Sequence, residues 1–203
     1  MTPIKIAKAY DAIVIGTSAG GVEALNQLFR NLPAHFEVPI IVVLHLGNDC
    51  VFLPNAFHTP DGVILKEADE KDSIVPKSIT FAPPGHHLLI EQDFTFSLST
   101  EDLVNFSRPS IDVTFESAAE AYGERLLGII LTGANEDGAQ GLKHIKAFKG
   151  LTITQDPSEA SSKAMPQAAI IAAKPHYIIK LIEIAELLTR LHAGFSINEE
   201  NEP

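Results

Sequence analysis

A hydroxyl, an imidazole and a carboxylate are the parts from which an acyl-transfer site is built, and this sequence offers one of each in telling places. Ser18 lies in Gly16-Thr17-Ser18-Ala19-Gly20, the G-x-S-x-G pattern in which small flanking residues let a sharp strand-to-helix bend present one hydroxyl. Beside a helix N-terminus, that hydroxyl faces N–H groups that favour a developing negative charge. Serine is a poor nucleophile near neutral pH, so a base must take its proton. Imidazole, with a reference pKa of about 6.5, suits that work. A carboxylate then fixes the imidazole tautomer and stabilises the transient imidazolium. His45 and Asp137 supply these two types. Each residue also has a plainer use: Ser18 as a helix cap, His45 as a satisfied core histidine, and Asp137 as the cap of a helix that begins near Ala139.

The elements that must position these groups follow from periodicity. Ala12-Ile13-Val14-Ile15 runs into the Gly-rich turn, and Val22, Leu25, Leu28 and Leu32 recur at roughly helical spacing, which predicts strand, turn and helix. Pro39 opens Ile40-Ile41-Val42-Val43-Leu44, a continuous apolar run typical of a strand buried on both faces, and it ends at His45. Residues 47–60 read as a loop with a short helix, Val63-Ile64-Leu65 as a third strand, and the charge run Glu67 to Asp72 as a solvated loop. Between Ser73 and Ser99 the runs shorten. Ile79-Thr80-Phe81, Leu88-Leu89-Ile90 and the alternating Phe94, Phe96 and Leu98 predict antiparallel strands, with Pro83-Pro84-Gly85 as a turn.

Further on, Ser110 caps a predicted helix that runs to Tyr122 and stops at Gly123. Leu126 to Thr132 is another buried strand, and Asp137 lies in the turn after it, before a helix carrying Leu142, Ile145 and Phe148. A strand at Leu151 to Thr154, a helix within Ser161 to Ala173, a strand at His176 to Ile179 and a helix from Ile182 to Leu191 complete the pattern. Such alternation favours an α/β, doubly wound, mostly parallel sheet with an inserted antiparallel hairpin. In such sheets, sites form beyond the carboxyl ends of the strands, near the point where strand order reverses. Ser18, His45 and Asp137 all fall on that edge, which favours a joint role over three separate bland ones.

Composition narrows the function classes. The 203 residues are 45% hydrophobic, which suits one compact domain. No apolar run is long enough for a membrane helix, and the start lacks the apolar core of a signal peptide. One cysteine, Cys50, excludes an internal disulfide and fits a reducing compartment, so the expected location is the cytoplasm. A net charge of −11 argues against nucleic-acid binding.

Several stretches together resemble the catalytic domain of the chemotaxis protein-glutamate methylesterase (CheB) family. They are Ile15-Gly16-Thr17-Ser18-Ala19-Gly20-Gly21, the histidine ending the next strand, Arg108-Pro109-Ser110-Ile111-Asp112, Ile130-Leu131-Thr132-Gly133 with Asp137-Gly138-Ala139, and Thr154-Gln155-Asp156 followed by Met165-Pro166. The resemblance covers about residues 11–191. It implies Ser18 as nucleophile, His45 as base and Asp137 as its orienting acid, with the backbone N–H groups of Ala134 and Ala19 as oxyanion candidates. No cofactor is expected, and no metal, since no cluster of carboxylate, histidine and cysteine has metal-ligand spacing. The expected substrate is a glutamate γ-methyl ester on the cytoplasmic helices of chemoreceptors, with glutamine deamidation as a second activity and Arg108 as a hold on an acidic receptor helix. There are departures: Ala19 stands where the family usually has threonine, leucines flank His45, and Ala164 replaces a glycine.

The expected division is a lead-in at residues 1–10, a methylesterase domain at 11–193 and a disordered acidic tail at 194–203. Family members commonly carry a receiver domain ahead of the esterase, whereas ten residues precede the first strand here. Activity without phosphodonor is therefore expected, with any control supplied by a separate regulatory protein. Two other classes are weaker. A nucleotide-binding or non-catalytic α/β signalling module fits less well, because Ser18 takes the place of a fingerprint glycine and His45 that of the ribose-binding acid. A metallohydrolase recruiting His45, His86, His87 and Asp137 lacks any H-x-x-x-H or H-E-x-x-H spacing.

Overall fold

Continuous β-branched runs end up as strands buried on both faces, and the periodic stretches as helices that cover them. The computed structural model describes residues 10–45 and 54–192. In chain order these form β1 (Ala12–Thr17), α1 (Gly21–Arg30), β2 (Ile40–Leu44), β3 (Ile64–Glu67), β4 (Ser78–Phe81), β5 (His87–Ile90), β6 (Phe96–Ser99), α2 (Ile111–Tyr122), β7 (Leu126–Ile130), α3 (Ala139–Ala147), β8 (Leu151–Gln155), α4 (Ala164–Ala173), β9 (Tyr177–Ile179) and α5 (Leu181–His192). Seven strands make one parallel sheet in the order β3-β4-β2-β1-β7-β8-β9. From β1 the chain builds one side with β2, the edge strand β3 and β4, which returns between them, and then builds the other side with β7, β8 and β9, so strand order reverses between β1 and β7.

Alternation along the central strands divides the core in two. Ile13 and Ile15 of β1 with Leu127 and Ile129 of β7 pack under α1 and α5, against Leu25, Leu28, Ile184 and Leu188. Ala12 and Val14 with Leu126 and Ile130 face α2, α3 and α4, against Ile111, Phe115, Leu142 and Met165. β5 and β6 form a separate antiparallel hairpin, held to α2 where the Thr114 hydroxyl donates to the Leu88 carbonyl at 2.7 Å.

Three details differ from the sequence reading. Ile79-Thr80-Phe81 is not part of the antiparallel insertion; β4 pairs parallel with both β2 and β3 because it is buried on both faces inside the main sheet. Val22 and Phe148, assigned to apolar helix faces, are exposed, while Leu25, Leu28, Leu142 and Ile145 carry the burial. The charge run does not simply lie in solvent either, since Glu70 accepts from the Leu98 N–H and Lys71 N–H donates to Phe96 in the hairpin. Of the loop expected at 47–60, a 3-10 turn at Pro54–Ala56 is described. Cys50, most of the lead-in and the tail lie outside the described residues.

α2 and α3 approach so closely that Gly141 leaves no room for a side chain. A Cβ there would stand 2.6 Å from Phe115 Cβ and 3.0 Å from the Asp112 backbone. On helix propensity alone, Gly141→Ala would stabilise by up to about 1 kcal/mol. Overpacking should reverse that sign, with a net loss of about 1–3 kcal/mol in denaturant melts.

Candidate active site

The Ser18 bend is fixed by close packing and by one threonine. Gly16 lies against Ile111, where a Cβ would be 2.4 Å from Ile111 Cγ2, and Gly20 takes φ +80°, a conformation that favours glycine. Thr132, just beyond β7, holds the bend on three sides. Its carbonyl accepts from Ser18 N–H (3.0 Å) and from the Thr17 hydroxyl (2.7 Å), and its own hydroxyl donates to the Ala19 carbonyl (2.8 Å). Gly20, not Ser18, is the N-cap of α1, so the capping use of Ser18 is not the one adopted.

His45 arrives by register. Thr17 pairs with Leu44, and His45 N–H donates to the Thr17 carbonyl at 3.0 Å, so Ser18 and His45 leave adjacent strands side by side. The His45 ring is directed by Asp137, whose Oδ2 lies 2.9 Å from His45 Nε2. A carboxylate only accepts, so the ring proton sits on Nε2 and the lone pair of the neutral imidazole is on Nδ1. The Asn135 amide nitrogen stands 3.4 Å from that Nδ1. Ser18 Oγ makes no hydrogen bond to another described residue; catalytic hydrogen bonds are commonly loose before substrate binds.

Asp137 is completely buried, which makes its surroundings decisive. Oδ1 accepts from Asn105 Nδ2 (2.8 Å), Ser110 Oγ (2.9 Å), Asp112 N (3.2 Å) and Gly138 N (3.1 Å), while Oδ2 accepts from Ile111 N at 2.7 Å besides His45. Burial pushes the Asp137 carboxyl up, but the hydrogen bonds from His45, Asn105 and Ile111 outweigh it and hold the group below the ordinary carboxylate range. Two of those donors are the first N–H groups of α2. Asp137 thus caps α2 from a distant loop, and Gly138, not Asp137, occupies the N-cap position of α3. The Ser110 hydroxyl, expected to cap α2, is committed to Asp137 instead.

The remaining expected residues occupy the rim. Ala19 and Ala134 are exposed on the loops after β1 and β7, and their backbone N–H groups donate to no described residue. Arg108 and His45 both line a cavity of about 630 Å³, together with Leu103, Phe106 and Pro84. Arg108 Nη1 donates to the carbonyls of Thr100 (2.7 Å) and Glu101 (2.8 Å), bracing the loop that forms one wall. Its guanidinium forms no ion pair with another described residue. His87 is committed elsewhere: Nε2 lies 3.0 Å from the Asp102 carbonyl and Nδ1 accepts from Ser110 N–H at 3.2 Å. Among the described residues, no group of three or more His, Cys, Asp and Glu is disposed to hold a metal ion.

Sequence reasoning missed Asn105, Asn135, Thr132 and Asp112. The first two are polar loop residues with no motif of their own, and the contacts that bring them to the site, Asn105 with Asp137 and Asn135 with His45, join positions far apart in the chain. Asp112 was read only as part of a motif, yet its Oδ1 accepts from Gly141 N–H of α3 at 2.6 Å.

Comparison with known proteins bears on the family and the fold. The family model described as CheB methylesterase matches residues 13–188. A Leptospira interrogans protein provisionally named protein-glutamate methylesterase/protein-glutamine glutaminase is 49% identical over 184 residues, covering 90% of this chain and 95% of that protein. The protein-glutamate methylesterase FrzG of Myxococcus xanthus is 32% identical over 88% of this chain, which spans 54% of that relative's length. The crystal structure of the Thermotoga maritima CheB methylesterase catalytic domain superposes with a TM-score of 0.83 at 30% identity, covering 91% of this chain and 100% of that one.

The buried carboxylate carries a stability prediction. An unfolded Asp titrates at about 3.9. Because Asp137 is held below its ordinary value, its stabilising contribution is complete above the unfolded pKa and is lost as pH falls through the folded one. Asp137→Asn would turn an amide NH₂ toward groups that themselves donate. It should cost on the order of 3 kcal/mol at pH 7, with the deficit shrinking in denaturant melts taken progressively below pH 4.

Proposed function

The chain belongs to the CheB methylesterase family, and from that premise we propose that it hydrolyses glutamate γ-methyl esters on the cytoplasmic helices of chemoreceptors through a Ser18-His45-Asp137 acyl-enzyme mechanism. The observation that carries the reading is the Nε2 bond to a fully buried Asp137, which leaves His45 Nδ1 as the base on the strand beside Ser18. In this mechanism Ser18 Oγ attacks the ester carbonyl while Nδ1 takes its proton. The oxyanion is met by the N–H groups of Ala19 and Ala134, which have no competing partner among the described residues. As the tetrahedral intermediate collapses, Nδ1–H returns the proton to departing methanol. Water then attacks the acyl-enzyme with Nδ1 again as base, and as the bond to Ser18 Oγ breaks Nδ1–H returns that proton to Oγ, releasing the glutamate side chain and restoring the serine.

Glutamine deamidation uses the same steps, with ammonia in place of methanol. The Arg108 guanidinium, on the cavity wall beside His45, supplies the positive charge suited to an acidic stretch of the receptor helix. Asp137 favours the imidazolium that forms twice in each cycle, because its ionised state is kept by hydrogen bonds rather than by solvent.

The test is methanol release from a methylated chemoreceptor cytoplasmic fragment. Ser18→Ala should lower turnover by about 10⁴-fold or more with an unchanged melting temperature. A serine-directed phosphonate should label Ser18, and a chelator should leave turnover as it was. Half-retained activity in Ser18→Ala would overturn the reading, as would activity lost to chelator and restored by zinc.

A further inference from the structure

Two buried carboxylates share a single amide next to the His45–Asp137 pair. Asn105 Nδ2 lies 2.7 Å from Asp112 Oδ2 and 2.8 Å from Asp137 Oδ1, so each of its two N–H bonds serves one carboxylate. Burial and the proximity of Asp137 push the Asp112 carboxyl up, against the hydrogen bonds from Gly141 and Asn105. Two carboxylates placed this way, with no donor between them, favour holding one proton in common. Any proton shared with Asp137 weakens its hold on an imidazolium.

The backbone delivers Asn105 for this task. Val104 N–H donates to the Ser107 carbonyl (3.2 Å) and Ser107 N–H to the Val104 carbonyl (2.9 Å), with φ of 51° at Asn105 and 60° at Phe106. Positive φ at both central residues of a two-residue loop is the type I′ turn, which asparagine accepts more readily than most side chains. The turn sends the Asn105 amide inward onto the carboxylates and leaves Phe106 98% exposed. One residue thus meets two independent demands, a left-handed backbone and a doubly donating side chain.

We propose that Asn105 is a positioning residue for ester hydrolysis, its amide holding the Asp137 carboxylate in place for His45 and separating it from the neighbouring Asp112. This rests on the methylesterase reading above. The titratable groups around the pair are His45 at the end of β2, His87 on β5 through Ser110, Asp112 and Glu116 on α2, and Glu136 in the loop before α3. Of these, Asp112 is the one whose proton Asn105 keeps apart from Asp137.

Asn105→Gly keeps the left-handed turn and removes the side chain that carries the amide. In the full chain, kcat for methanol release from the methylated receptor fragment should fall about 10–100-fold, the usual effect of losing an outer hydrogen-bond partner, with KM little changed. The Asp137 carboxyl titration, followed by carbon-13 NMR, should move up by about one pH unit, the scale of one charge-assisted hydrogen bond. The acid limb of kcat/KM, set by His45 as base, should move down, because a carboxylate that shares a proton holds the imidazolium less tightly. A variant that only melts earlier, with wild-type kcat and acid limb, would overturn the proposal. Ser18→Ala is assayed in parallel. If that protein keeps its activity, the methylesterase mechanism fails by itself, and an Asp137 titration unmoved in Asn105→Gly still overturns the placement of Asn105.

Discussion

The two helices that meet over the active edge exchange carboxylates at their N-termini. Asp137, ahead of α3, accepts the first N–H groups of α2, and Asp112, in the first turn of α2, accepts Gly141 N–H in the first turn of α3. Each negative charge meets the positive end of the other helix, which is what permits two carboxylates under one small patch of core. Gly141 has no side chain because this exchange requires the backbones to touch. The partner of His45 is therefore part of helix packing, and its position follows from the fold before any substrate arrives.

Sheet topology supplies the other half of the site. The bend after β1, the end of β2 and the loop after β7 converge where strand order reverses, and Thr132 binds the first of these to the third. The loop between β6 and α2 then closes the edge. Arg108 braces it, Asn105 reaches inward from its turn and Phe106 stays outside at the cavity wall. Cavity wall and carboxylate support thus belong to one short stretch of chain.

Much of this was legible in the sequence because it is local. The apolar run before Gly16, the unbroken β-branched run ending at His45 and the run before Thr132 announce buried strands, and their carboxyl ends place Ser18, His45 and Asp137 on one edge. What was not legible depends on contacts between distant residues. β4 reads like a hairpin strand until its two parallel neighbours are known. Ser110 has the local signature of a helix cap, yet its hydroxyl serves a carboxylate 27 residues away. Nothing near Asn105 reports the two acids it contacts, and no pattern states which nitrogen of His45 faces Asp137.

That last assignment is the point on which the chemistry turns, and it is directly measurable. Nitrogen-15 NMR of the ring-labelled protein, at a pH where His45 is neutral, reports the protonation of each ring nitrogen. The expected result is a protonated Nε2 and a bare Nδ1, with the pattern lost in a variant lacking the Asp137 carboxylate. A proton on Nδ1 with Nε2 bare would mean that Asp137 does not hold the tautomer, and would contradict a mechanism in which Nδ1 takes the proton of Ser18.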